Sequence, residues 1–261
     1  MSEHPIAARW RALGGRGRGR ALIPYVTAGF PTPAVSRDVL RAAQAAGADF
    51  VEVGVPFSDP LADGPTIQRT TQAALEQGMT AAGVLTLIRE AALAVPVVIM
   101  TYLNPVLAYG VERFVADAHA AGAAGLVLTD LPAGADPVVE SAVTRSPLAL
   151  IRLVAPTTDD ARLAAALTGA KGFVYLISRL GVTGARDQVP ADLEQHVRRV
   201  RAATPIPVAV GFGISTPAQA AAAARYADGV VVGSALMDAL AQGGVGAAER
   251  LVRELAAAVH A

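Results

Sequence analysis

The chain contains no cysteine, which excludes disulfides, thiolate nucleophiles and cysteine-ligated metals and fits a reducing compartment, with the cytoplasm as the simplest address. Net charge is missing too: 22 Lys plus Arg stand against 22 Asp plus Glu. No global field therefore gathers nucleic acid or an anionic membrane, and neither is expected as a partner. Any anion must be held locally. No apolar run reaches the roughly 18 uninterrupted residues of a spanning helix. The segment from Met1 to Leu13 mixes charges with its apolar residues and has no h-region, so it does not read as a signal peptide. The histidines His4, His119, His196 and His260 are scattered, without a His-Glu-x-x-His or similar spacing, so no metal site is expected. No Ser–His–Asp arrangement stands out.

What is present is a repeat. Ala45-Ala46-Gly47-Ala48-Asp49 precedes Phe50-Val51-Glu52-Val53, Ala121-Gly122-Ala123-Ala124 precedes Gly125-Leu126-Val127-Leu128, Gly169-Ala170-Lys171-Gly172 precedes Phe173-Val174-Tyr175-Leu176, and Tyr226-Ala227-Asp228 precedes Gly229-Val230-Val231-Val232. Each reads as a helix end, a very short loop and a buried strand, with a glycine at the left-handed cap in the first three. Further strand-like runs begin near Ala21, Val97, Leu148 and Pro207, giving eight. Ala-rich helical patterns such as Ala34 to Ala46, Val111 to Ala121, Asp159 to Thr168 and Ala191 to Ala203 lie between them. Alternating strands and helices imply parallel pairing, and unbroken Val/Ile/Leu runs suit strands covered by helices. The 261 residues match the roughly 250 of an eight-stranded barrel, and no Gly-x-Gly-x-x-Gly follows the first strand. The reading is one α/β domain over 1–261, a (β/α)8 TIM barrel rather than an open doubly wound sheet, with residues 1–20 as an N-terminal lead-in. The run Gly14-Gly15-Arg16-Gly17-Arg18-Gly19-Arg20 is expected as a solvated part of that lead-in.

In such a barrel, chemistry sits at the C-terminal strand ends. Period-two alternation puts Phe50, Glu52 and Gly54 on one face and Val51 and Val53 on the other, so Glu52 points into the barrel. A carboxyl there is driven towards neutrality, where general acid–base catalysis works best; a buried structural ion pair is the alternative. The loop from Gly54 to Thr66, dense in glycine and proline, carries Asp63, either a second catalytic carboxylate or the cap of the helix beyond. Asp59 reads as a turn residue or a surface contact. Tyr175 shares a face with Phe173 and Ile177, offering a hydroxyl inside the barrel or simply a satisfied core tyrosine. The loop Ser178 to Arg186, with Thr183 and Gly184, suits a lid. Gly211-Phe212-Gly213-Ile214-Ser215 and Gly229 to Ala235 place small residues where barrels hold phosphate on backbone N–H groups.

The segment from Glu52 to Pro65 closely resembles the signature of the tryptophan synthase α family. Ile23 to Gly29, Met100 to Pro105, Ala155 to Thr158, Tyr175 to Gly184 and Gly211 to Ser215 resemble the same family in the same order. The resemblance implies retro-aldol cleavage of indole-3-glycerol phosphate to indole and glyceraldehyde 3-phosphate. Glu52 would shuttle the proton, and Asp63 would stabilise positive charge at the indole N–H. It places Tyr175 and Thr183 near substrate, Gly184, Gly213, Gly233 and Ser234 around the phosphate, and Tyr25, Met100, Val127, Leu153 and Phe212 along the indole. It implies no cofactor on this chain, with pyridoxal phosphate expected only on a β subunit that receives indole in an α2β2 heterotetramer. The loop with Pro56 and Asp59 and the segment around Asn104 are the contacts it implies for β. A free-standing indole-3-glycerol-phosphate lyase and, in another class, a non-catalytic regulatory module binding a phosphorylated ligand stay open.

Overall fold

The computed structural model describes residues 3–177, 192–211 and 213–261. Eight parallel strands close in sequence order into a barrel: β1 (Ala21–Thr27), β2 (Val51–Gly54), β3 (Val97–Thr101), β4 (Ala123–Leu128), β5 (Ala149–Val154), β6 (Val174–Ile177), β7 (Val208–Gly211) and β8 (Gly229–Val232). All eight lie where the apolar runs put them. β4 starts two residues early, because its pairing with β3 shifts register between Val97 and Val98 and absorbs one extra residue.

The described helices are α1 (Pro5–Ala12), α2 (Pro33–Ala45), α3 (Pro65–Glu76), α4 (Ala81–Ala91), α5 (Leu103–Tyr109), α6 (Val111–Ala120), α7 (Pro137–Arg145), α8 (Asp160–Ala166), α9 (Leu193–Ala203), α10 (Pro217–Ala224) and α11 (Ser234–His260). Four of them start alike. His4, Thr32, Asp136 and Thr216 cap backbone N–H groups of α1, α2, α7 and α10 with their side chains, and a proline follows at the first helical position, where its missing N–H costs nothing. At the other end, Gly47 and Gly122 follow α2 and α6 with φ of 105° and 102°, which only glycine adopts without strain, so the chain turns sharply into the next strand. Among the described residues no helix is long and apolar enough to cross a membrane.

Strand alternation divides the core in two. Val51, Val53, Ile99, Leu126, Leu150 and their equivalents pack outward against the helices. Phe50, Val98, Val127, Ile151, Phe173 and Val231 fill the barrel. The lead-in is more than a tether, because α1 closes the barrel floor. Ile6 and Trp10 are buried in the inner cluster, and the indole of Trp10 lies 5.0 Å from the Phe50 ring and 6.1 Å from that of Phe173. Gly229 makes room for it, since a Cβ there would stand 2.9 Å from the Trp10 ring.

The aspartates that end two of the repeats hold this floor together. Asp49 accepts from the N–H of Leu22 at 2.7 Å, and Asp228 from that of Val208 at 2.8 Å. Both carboxylates are buried, and each has an arginine partner, Arg9 at 2.5 Å and Arg201 at 2.6 Å. Buried charge persists only with such donors. His260, the last residue of α11, also reaches Asp49, at 2.8 Å, and that carboxylate raises the imidazole pKa. Both ends of the chain are thereby fastened beneath the barrel, away from its mouth.

Candidate active site

At the opposite end, the strand termini surround a cleft open to solvent, with apolar walls and a few converging polar side chains, the make-up of a small-molecule site. Glu52, Asp63, Tyr25, Met100, Tyr175, Gly213, Gly233 and Ser234 all border it. They come from β1, β2, β3, β6 and the loops after β2, β7 and β8. The fold brings these positions, distant in sequence, to one cleft.

Glu52 points into the barrel as alternation requires. It is 1% exposed, and neither carboxyl oxygen has a hydrogen-bond partner among the described residues. Among the described residues no ion pair holds it. Burial first, and the nearby Asp63 charge second, push its pKa up to about 8. The group is mostly protonated at neutrality and can deliver a proton into the cleft.

Asp63 sits on the shaped loop between β2 and α3. It does not cap α3, whose N-cap is Gly64 and makes no side-chain bond. Its Oδ2 instead accepts from the Tyr102 hydroxyl at 3.1 Å, and that same hydroxyl accepts from the Ala62 N–H at 2.9 Å. Burial raises Asp63 to about 6, and the Tyr102 hydrogen bond works against the rise. The two carboxyls thus differ at pH 7, one mainly neutral and one mainly ionised, as a division of acid and charge-stabilising duties requires.

Two tyrosines frame Glu52, each seated on a glycine of the adjacent strand. A Cβ at Gly54 would lie 2.0 Å from the Tyr25 hydroxyl, and one at Gly211 would lie 2.3 Å from that of Tyr175. Burial, together with the carboxyl charges of Glu52 and Asp63, holds both phenols well above their ordinary pKa. They stay neutral donors.

The anion end lies at α11. Its N-cap is Gly233, no side chain caps it, and Ser234 and Ala235 face the cleft, so its first N–H groups are available to a phosphate. The N-terminus of α10 differs. Its Gln219 Oε1 accepts from the backbone N–H of Ser215 at 2.8 Å and of Thr216 at 3.2 Å. In the loop after β7, Gly213 and Ile214 also border the cleft, and a φ of 82° at Gly213 turns the chain there.

Not every expected wall residue reaches the cleft. Val127 is wholly buried inside the barrel and does not border it. Leu153 faces inward at the barrel mouth but borders a neighbouring cavity beside α8. Alternation gave the face of both, but Val127 lies too deep in the barrel, while Leu153 at the mouth opens onto the neighbouring cavity instead. Thr183, Gly184 and Phe212 lie outside the described residues. Three contributors were missed. Tyr102 had one available signal, its place at the C-terminal end of a strand. Thr66 and Asp238 had none: the Thr66 hydroxyl meets Asp238 at 3.2 Å only because α3 and α11 pack together, with Arg69 balancing the aspartate at 2.7 Å. Among the described residues, no group of three or more His, Asp and Glu side chains is arranged to hold a metal ion.

Beside the cleft, Pro56 and Phe57 of the β2–α3 loop and Asn104, Pro105 and Tyr109 of α5 line a separate open groove. Asp59 is exposed on the same loop and accepts from the Ser58 hydroxyl, while Leu61 at its tip is 90% exposed.

Comparison with known proteins agrees with this geometry. The family model described as tryptophan synthase alpha chain matches residues 15–260. The tryptophan synthase alpha chain of Acidiphilium cryptum is 50% identical over 242 residues, 91% of this chain and 87% of the relative. That of Gluconacetobacter diazotrophicus is 51% identical over 238 residues, 90% and 86% of the two. Among solved structures, Mycobacterium tuberculosis tryptophan synthase superposes with a TM-score of 0.88 at 43% identity over 98% of this chain and 97% of that one. The tryptophan synthase subunit alpha of Legionella pneumophila gives 0.90 at 32% identity, covering 99% of each.

Proposed function

Because this chain belongs to the tryptophan synthase alpha chain family, it is a carbon–carbon lyase of tryptophan biosynthesis that cleaves indole-3-glycerol phosphate to indole and glyceraldehyde 3-phosphate, and we propose that Glu52 and Asp63 carry the reaction. The observation that carries this reading is Glu52, a buried carboxyl held protonated by its surroundings and open to a cleft whose far side is the N-terminus of α11.

In this reading the phosphate rests on the N–H groups of Gly233, Ser234 and Gly213, where the helix terminus supplies positive potential. The indole lies between Tyr25 and Met100. Glu52 gives its proton to the ring carbon that bears the glycerol chain, and the positive charge spreads to the ring nitrogen, where ionised Asp63 stabilises it. The Glu52 carboxylate then takes the proton of the adjacent glycerol hydroxyl. The carbon–carbon bond breaks as the carbonyl forms, and its electron pair returns to the ring. Glutamate ends as it began, and no cofactor enters.

Proteins of this family work with a β subunit. The groove formed by Pro56, Phe57, Asn104 and Tyr109 is the face we assign to it, in an α2β2 heterotetramer whose pyridoxal phosphate resides on β. Indole release from indole-3-glycerol phosphate, measured for the isolated chain and again with β subunit added, tests this. Strong activation by β is expected. A high turnover that β leaves unchanged identifies a free-standing lyase, and no indole in either case defeats the assignment.

A further inference from the structure

Tyr102 follows the last residue of β3 and caps α5, yet its side chain belongs to the neighbouring β2–α3 loop. Its hydroxyl spends its one proton on Asp63 Oδ2 at 3.1 Å and accepts the Ala62 N–H at 2.9 Å. The ring is buried and lies 5.4 Å from Phe57 at an interplanar angle of 39°. One phenol therefore grips the loop at three points: a carboxylate, a backbone N–H and an aromatic ring. The loop itself offers Asp63 little else. The Gln68 side chain bonds the backbone carbonyl of Asp63, not its carboxylate, and Gly64 rather than Asp63 caps α3.

We infer that Tyr102 is a positioning residue for the lyase reaction, its hydroxyl fixing the orientation of the Asp63 carboxylate against the cleft. The inference rests on the role proposed above for Asp63. Towards Asp63 a phenol in this setting can act only as a donor. Burial and the Asp63 charge raise its pKa, so it remains protonated across the working range. Donation to a carboxylate favours the ionised form that charge stabilisation at the indole nitrogen needs. Among the described residues, the other charged and titratable groups around Asp63 are Glu52 on β2, Tyr25 on β1 and Tyr175 on β6, and Asp130 after β4 faces Tyr102. Asp238, balanced by Arg69, borders the same cleft. Removing one hydroxyl leaves all of these in place.

The test is a double-mutant cycle on the complete chain with indole-3-glycerol phosphate, comparing Tyr102→Phe, Asp63→Asn and the pair. Tyr102→Phe is expected to lower kcat about tenfold to a hundredfold, the worth of a hydrogen bond to a charged group, with KM changed by no more than about twofold. The acid limb of its pH–rate profile should move to higher pH, because the carboxylate has lost its donor. If Tyr102 acts through Asp63, the double variant is no slower than Asp63→Asn alone. Losses that multiply, or a Tyr102→Phe enzyme with wild-type kcat and acid limb, overturn the inference. An Asp63→Asn enzyme with full activity instead removes the role of Asp63 itself, a separate failure. Should the phenylalanine variant not fold, difluorotyrosine at position 102 keeps the ring and hydroxyl while making the phenol a stronger acid. The acid limb must then move to lower pH, and an unmoved limb overturns the inference.

Discussion

Replacing Glu52 with glutamine removes an ionisation that the fold resists, and the size of that resistance follows from the surroundings. The carboxyl is 1% exposed, its oxygens have no hydrogen-bond donor among the described residues, and Asp63 adds like charge. An acid whose folded pKa lies above its unfolded one binds more protons when folded, so wild-type stability falls as pH rises between those two values, here from 4.5 to about 8. At about 1.4 kcal/mol per pH unit, the interval sets an upper limit of about 5 kcal/mol. Dielectric relaxation around a buried carboxylate brings the expected figure to about 2–5 kcal/mol. Glutamine cannot ionise. The Glu52→Gln variant should therefore match wild type near pH 4.5 and become progressively more stable than it up to about pH 8, in urea titrations across that range. Its turnover should meanwhile fall by about 10²–10⁴, the usual contribution of a positioned acid–base group. A stability difference that stays flat with pH would show that Glu52 ionises freely in the folded protein and would refute its assignment as a proton donor at neutrality.

Two further substitutions probe the frame. Trp10→Ala empties the barrel floor beneath Phe50 and Phe173 and should cost about 3–5 kcal/mol, with kcat per folded molecule unchanged because the cleft lies at the other end; a kcat loss without destabilisation contradicts this. Gly54→Ala sets a methyl 2.0 Å from the Tyr25 hydroxyl, so the ring must move; thermal unfolding should show a loss of about 1–3 kcal/mol and steady-state kinetics a raised KM, whereas unchanged values for both would mean that the Tyr25 position is not fixed by this contact.

The repeat of helix end, short loop and apolar run was legible because side-chain alternation and glycine caps are local properties. Glu52 was legible for the same reason: Val51 and Val53 must face the helices, so the residue between them faces the barrel. The lead-in was only half legible. Ile6 and Trp10 carry no motif, and their seat exists only once Phe50, Phe173 and Gly229 have been brought beneath one another by closure. Both carboxyls were named from the chain, but their different titration was not fixed by it, since burial depth and the Tyr102 donor depend on neighbours far away in sequence.

The sequence by itself determined the order of elements, the inward face of each strand, the loops that carry carboxylates and small residues, and the resemblance that points to the family. Tertiary structure alone decided that Asp63 meets Tyr102 rather than capping α3, that Val127 lies too deep to border the cleft, and that Gln219 occupies the backbone donors of the loop before α10 while those at α11 stay available. The physical reason is that periodicity along a chain fixes direction, whereas depth, distance and the sharing of hydrogen-bond donors are set when eight strands close into a ring and distant loops come to share one mouth.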